Sequence, residues 1–221
     1  MCLVSFMDII NFKTLPILGI LRGISAQDVS PITETSISAG LKTLEITMNT
    51  AGACDLIKAM SKAADGRLSV GAGTVLSVDE VKAALDAGAE FIVAPVFDPE
   101  VVSFCVKKKI PVFPGALTPQ EIYAAWQGGA TMVKVFPSQF FGPAYFKEIK
   151  GPFQDIELLA CGGVTAENIG EYFRCGASAV AFGGSIFRKD WMKEKRFEVI
   201  GAQIKELIDR VGLIKRDADR Y

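Results

Sequence analysis

Eight short β-rich runs recur along this chain at intervals of about twenty to twenty-five residues: Pro16–Leu21, Lys42–Thr47, Leu68–Ala72, Phe91–Ala94, Pro111–Phe113, Met132–Phe136, Ile156–Ala160 and Ala179–Phe182. Helical patterns such as Asp55-Leu56-Ile57-Lys58-Ala59-Met60 and Val78 to Ala87 lie between most of them. Strict βα alternation indicates a parallel sheet, because parallel neighbours need a long crossover whereas antiparallel ones can be joined by tight turns. Eight such units in 221 residues fit a closed (β/α)8 TIM barrel. The runner-up is an open doubly wound sheet, which usually has fewer strands and a glycine-rich GxGxxG turn after its first. Here the first run leads into Leu21-Arg22-Gly23-Ile24 instead. No linker or compositional break interrupts the pattern, so residues 1–221 read as one α/β domain.

The punctuation between runs supports this division. Ser77, Thr118 and Thr165 are placed to cap the helices that follow them. Gly40, Gly88, Gly128 and Gly176 close helices immediately before a strand. A short amphipathic helix is expected within the first twelve residues. One or two helices should follow Asp190 and end near Val211, leaving a charged, fraying tail from Lys215 to Tyr221.

Composition narrows the function. Half of the residues are apolar, 22% are charged and the formal net charge is −1, which gives no electrostatic bias toward nucleic acid or an anionic membrane. No apolar run reaches the ~18 residues a membrane helix needs. The first residues carry Asp8 and no basic start, unlike a secretion signal. Five scattered cysteines without ligand spacing suggest free thiols in a reducing cytoplasm. Histidine is absent, which removes Ser-His-Asp and Cys-His catalysis and disfavours a zinc site. Acid–base chemistry must then fall to carboxylates, lysine, tyrosine or water.

In a barrel of this kind the polar residues that matter stand at the C-terminal strand ends. Lys134 sits inside the β-branched run Thr131 to Pro137, where Met132, Lys134 and Phe136 share one face. Burial disfavours an ammonium, and a neutral amine is the nucleophile of Schiff-base chemistry. The alternative is a strand-end lysine whose head snorkels to water. Thr43, Glu45 and Thr47 share the face opposite Leu44 and Ile46, which puts Glu45 inside the barrel as a candidate proton shuttle. Arg22 ends the first strand and suits a substrate carboxylate, or a surface ion pair. Thr74 follows the third strand within Gly71-Ala72-Gly73-Thr74. Gly162-Gly163 and Gly183-Gly184-Ser185 follow the seventh and eighth, where amides and a helix start commonly hold phosphate.

These motifs together resemble the 2-keto-3-deoxy-6-phosphogluconate (KDPG) and 4-hydroxy-2-oxoglutarate (KHG) aldolase family. The matching stretches are Ile20–Ile24, Leu44–Thr47, Gly71–Leu76, Val133–Pro137, Cys161–Thr165 and Gly183–Ser185, spread over roughly Leu15 to Val211. The resemblance implies a class I aldolase that needs no cofactor or metal. Lys134 would form an imine with pyruvate and Glu45 would move protons. Arg22 and Thr74 would hold the pyruvyl carboxylate, with Pro95 and Phe136 walling the pocket. Gly162, Gly163, Gly184 and Ser185 would hold the phosphate of the aldehyde half. The family also implies a homotrimer acting on a small-molecule substrate in the cytoplasm. Asn49 stands where the phosphogluconate branch often has arginine and resembles the phosphogalactonate branch; Cys161 stands where sugar stereochemistry is sensed. A phosphosugar epimerase and a non-catalytic phospho-ligand sensor on a related barrel are the rival readings.

Overall fold

The computed structural model describes residues 6–218. Among them, nine parallel strands form one sheet: β1 (Ile17–Leu21), β2 (Thr43–Thr47), β3 (Ser69–Gly73), β4 (Ile92–Val93), β5 (Val112–Phe113), β6 (Gly115–Ala116), β7 (Val133–Val135), β8 (Leu158–Cys161) and β9 (Ala179–Phe182). Their order is β5-β4-β3-β2-β1-β9-β8-β7-β6. The two ends of that order are halves of one run, divided by Pro114, which has no amide to give the ladder. Pro114 still accepts a hydrogen bond from the Lys134 amide at 2.8 Å. The nine strands are therefore the eight expected runs, and the sheet closes through Pro114. The fifth run, expected to stop at Phe113, continues to Ala116, and this extension carries the pairing with β7.

Helices α1 (Ile9–Thr14), α2 (Ala26–Ser38), α3 (Ala53–Ala64), α4 (Val78–Asp86), α5 (Pro99–Lys107), α6 (Pro119–Gln127), α7 (Gly142–Lys150), α8 (Ile169–Arg174), α9 (Lys189–Lys193) and α10 (Phe197–Ala218) complete the order. Ser77 and Thr118 accept from Glu80 N and Glu121 N and so cap α4 and α6 as expected. Thr165 does not cap α8. Its amide is taken by Asn168 Oδ1 at 2.9 Å, and the helix begins only at Ile169. After α6 it is Gly129, at φ 93°, that adopts the left-handed turn, because Gly128 is still right-handed at φ −69°. α10 runs to Ala218 rather than ending near Val211; Met1 to Ser5 and Asp219 to Tyr221 lie outside the described residues.

Strand alternation sorts the core into two shells. Ile17, Leu21, Leu44, Ile46, Val133, Val135, Leu158 and Val180 face the helices, whereas Leu18, Phe91, Phe113, Met132, Leu159 and Ala179 fill the barrel. Sliding β2 by one residue would exchange Leu44 and Ile46 for Glu45 and its neighbours. Both faces of β2 are buried, so the penalty of a slip is that the Glu45 carboxyl would enter the apolar layer under the helices, and this specifies the register. The short helix α1 seals the N-terminal mouth. Asp8 caps it by accepting from Ile10 N and Asn11 N, and Phe12 meets Phe113 edge-on at 5.9 Å. Polar residues are thereby left to the opposite end, where every strand terminates. No helix among the described residues is long and apolar enough to cross a membrane.

Candidate active site

Inward parity along each strand brings the chemistry together. On β2, Glu45 is 1% exposed, flanked on the same face by buried Thr43 and Thr47. On β7, Lys134 is 5% exposed, with its Nζ 5.2 Å from the centre of the Phe136 ring. Cys161 ends β8 and faces the same interior. Leu18 and Ile20 of β1 point inward, and the same alternation continues to Arg22, which is exposed at the mouth.

Glu45 occupies space that a glycine leaves open. A Cβ added to Gly73 on neighbouring β3 would stand 2.1 Å from Glu45 Oε1. Neither carboxylate oxygen has a hydrogen-bond partner among the described residues. Burial pushes the Glu45 carboxyl up from its usual 4.5 to about 7, and the charges of Lys134 and Arg22 hold it back from rising further. A buried carboxyl with unused oxygens is costly to keep and chemically available. Its titration near neutrality suits a group that must both take and return a proton. Burial likewise raises the Cys161 thiol, so this side chain is an un-ionised wall.

A cavity of about 580 Å³ opens at the C-terminal mouth. Arg22, Phe136 and Cys161 line one part of it; Gly162, Gly163, Gly184 and Ser185 line another. Lys134 and Glu45 lie in the barrel interior within electrostatic reach of Cys161 at its wall. Thr74 is half-buried after β3 and holds a left-handed φ of 55°, uncommon for a side chain with a branched Cβ. Pro95 is half-buried after β4, where its carbonyl lies close to Gly115. Asn49 is exposed in the turn after β2. None of these three lines the 580 Å³ cavity. Sequence reasoning missed Gln139 and Lys189, both at its wall. Lys189 opens α9 just beyond the glycine-rich turn after β9, a spacing that could have marked it. Gln139 is brought there by a 3₁₀ turn, Ser138–Phe140, whose packing has no local signature.

The turn after β1 is also fixed from β2. Gly23 N donates to Thr50 Oγ1 at 3.0 Å, and Thr50 Oγ1 lies 3.1 Å from Thr47 Oγ1. This buried pair sets where Arg22 leaves the barrel.

The family model for KDPG and KHG aldolase matches residues 9–203. The chain belongs to the KDPG and KHG aldolase family. Among its relatives, the 2-dehydro-3-deoxy-6-phosphogalactonate aldolase of Escherichia coli K12 is 33% identical over 192 residues, covering 86% of this chain and 94% of that protein. The 2-dehydro-3-deoxy-phosphogluconate aldolase of Haemophilus influenzae is 31% identical over 201 residues, covering 90% and 94%. A solved structure described as native KDPGal superposes with a TM-score of 0.86 at 30% identity, covering 96% of this chain and 99% of the other. Membership in this aldehyde-lyase family leaves the epimerase and sensor alternatives without support. Cys54, Cys105, Cys161 and Cys175 are free thiols, while Cys2 lies outside the described residues.

Proposed function

We propose that this aldolase cleaves a 2-keto-3-deoxy-6-phospho-sugar acid to pyruvate and glyceraldehyde 3-phosphate through an imine on Lys134. The observation that carries the proposal is the pairing of a buried lysine with a buried glutamate whose carboxyl titrates at about 7 and has no partner among the described residues. The Lys134 amine adds to the C2 ketone and water leaves, giving an iminium. Glu45 takes the C4 hydroxyl proton as the C3–C4 bond breaks, and the bonding electrons flow into the iminium to form an enamine. Protonation at C3 and hydrolysis then release pyruvate and the free lysine. Arg22 and Thr74 are assigned to the carboxylate, Pro95 and Phe136 to the pocket wall, and Asn49 and Cys161 to sensing the sugar. The backbone amides of Gly162, Gly163, Gly184 and Ser185 are assigned to the phosphate.

A cavity of this size suits a six-carbon phosphorylated acid rather than a macromolecule. Smaller 4-hydroxy-2-oxoglutarate, which yields pyruvate and glyoxylate, fits the same lysine and glutamate without the phosphate contacts. We read the whole chain as one domain acting in the cytoplasm as a homotrimer. Exposed Leu76, Val96, Phe140 and Phe141, on loops after β3, β4 and β7, support association. The experiment is a lactate-dehydrogenase-coupled assay of pyruvate release from the gluconate-type, galactonate-type and hydroxyglutarate substrates. Release from a phosphorylated acid, with higher kcat/KM than from hydroxyglutarate, is expected. No pyruvate from any of them would overturn the proposal.

A further inference from the structure

Three successive carbonyls in the loop after β8 are each held by a different side chain. Ser138 Oγ donates to Gly162 O at 2.8 Å, Asn168 Nδ2 to Gly163 O at 2.8 Å, and Ser185 Oγ to Val164 O at 2.9 Å. The donors come from the 3₁₀ turn after β7, the residue before α8, and the loop after β9. Asn168 also accepts from Thr165 N at 2.9 Å, so one side chain clamps both ends of a short segment. Gly162 and Gly163 have φ of 103° and 74°, and a Cβ on Gly163 would lie 2.6 Å from Gln139 Cβ. The 3₁₀ turn is thus packed directly against the glycine pair.

Across a planar trans peptide, the carbonyl of one residue and the amide of the next point in opposite directions. Fixing the carbonyls of Gly162 and Gly163 therefore fixes the amides of Gly163 and Val164, two of the residues that line the cavity. Consecutive amides held in a turn are the kind of donor set that binds an anion. Ser185 has a single hydroxyl proton, and Val164 O takes it. A phosphate oxygen of a dianion accepts and does not donate, so the hydroxyl cannot serve the anion while it holds the carbonyl.

We infer that Ser138 and Asn168 are positioning residues for the phosphate of the substrate, and that the Ser185 hydroxyl acts with them as a loop anchor rather than as a direct ligand. This rests on the phosphate reading given above. Ser138 has a second consequence: it lies four residues after Lys134, so its bond to Gly162 ties the lysine strand to the phosphate loop. Its buried hydroxyl also lies 3.4 Å from Tyr172 Oη on α8, which keeps it from solvent.

The test uses Ser138→Ala, Ser138→Thr and Asn168→Ala in the full chain. KM and kcat are measured for a 6-phosphorylated substrate and for 4-hydroxy-2-oxoglutarate, with the inhibition constant of inorganic phosphate. Both alanine variants should raise KM for the phosphorylated substrate and the phosphate inhibition constant by about tenfold, with kcat changed less than twofold. Hydroxyglutarate kinetics should move less than twofold, and Ser138→Thr should recover most of the loss. Equal losses on both substrates, or unchanged phosphate inhibition in the alanine variants, would overturn the positioning role. A wild-type enzyme insensitive to inorganic phosphate and indifferent to the phosphoryl group would overturn the phosphate reading, and this inference with it.

Discussion

Replacing Glu45 with glutamine keeps the shape of the side chain and removes its titration, so it isolates the consequence of the buried carboxyl. Burial raises this group from 4.5 to about 7 in the folded chain. Between those values the folded protein keeps a proton that the unfolded chain has released. The stabilisation this gives is fully present below about pH 4.5 and is lost as pH rises through about 7. At roughly 1.4 kcal/mol per pH unit, the difference corresponds to about 3 kcal/mol. For a domain of this size that is on the order of 6–12 °C in Tm. Urea unfolding at fixed protein concentration, from pH 4.5 to 8, should show wild-type stability falling by about 3 kcal/mol relative to Glu45→Gln. In kinetics, wild-type turnover should rise with pH through an inflection near 7. The variant should lose about 10²–10⁴ in turnover with its fold intact. Stability curves that stay parallel within 1 kcal/mol, or wild-type-like turnover in the variant, would refute the account of Glu45.

Two further outcomes follow from other residues. Gly73→Ala should cut turnover by at least tenfold, because its Cβ would stand 2.1 Å from Glu45 Oε1; steady-state rates of the folded variant equal to wild type would show that the carboxyl has room to move. EDTA should leave activity unchanged, since the iminium supplies the electrophile and the chain has no histidine; loss restored by a divalent ion would contradict this.

The barrel was legible because its signals are local. Alternation in Thr43–Thr47 and Met132–Phe136 assigned each side chain to a face, and the observed shells follow it. Glu45 and Lys134 were visible for the same reason: a charged residue inside a β-branched run must face something. The strand break at Pro114 was less visible, since closure there depends on pairing with β7 across the barrel. Loop chemistry was legible only as composition. Gly162-Gly163 and Gly183-Gly184-Ser185 announced a close backbone approach, but not that Ser185 would spend its proton on Val164 O. Ser138, Gln139 and Asn168 carry no local pattern, because their partners are set by how β7, β8 and α8 pack. Arg22 follows the last residue of β1, a position visible in the sequence, yet its exposure beside the glycine loops depends on the turn held by Thr47 and Thr50.

If Lys134 forms the imine, a reduced pyruvyl adduct must be found on it. Incubation of the full chain with pyruvate and borohydride, followed by peptide mass mapping, tests this most directly. One reduced pyruvyl group per chain is expected, on Lys134, absent in Lys134→Met and formed in Glu45→Gln at a reduced rate. An adduct on another lysine, or none under conditions where the enzyme turns over, would contradict it.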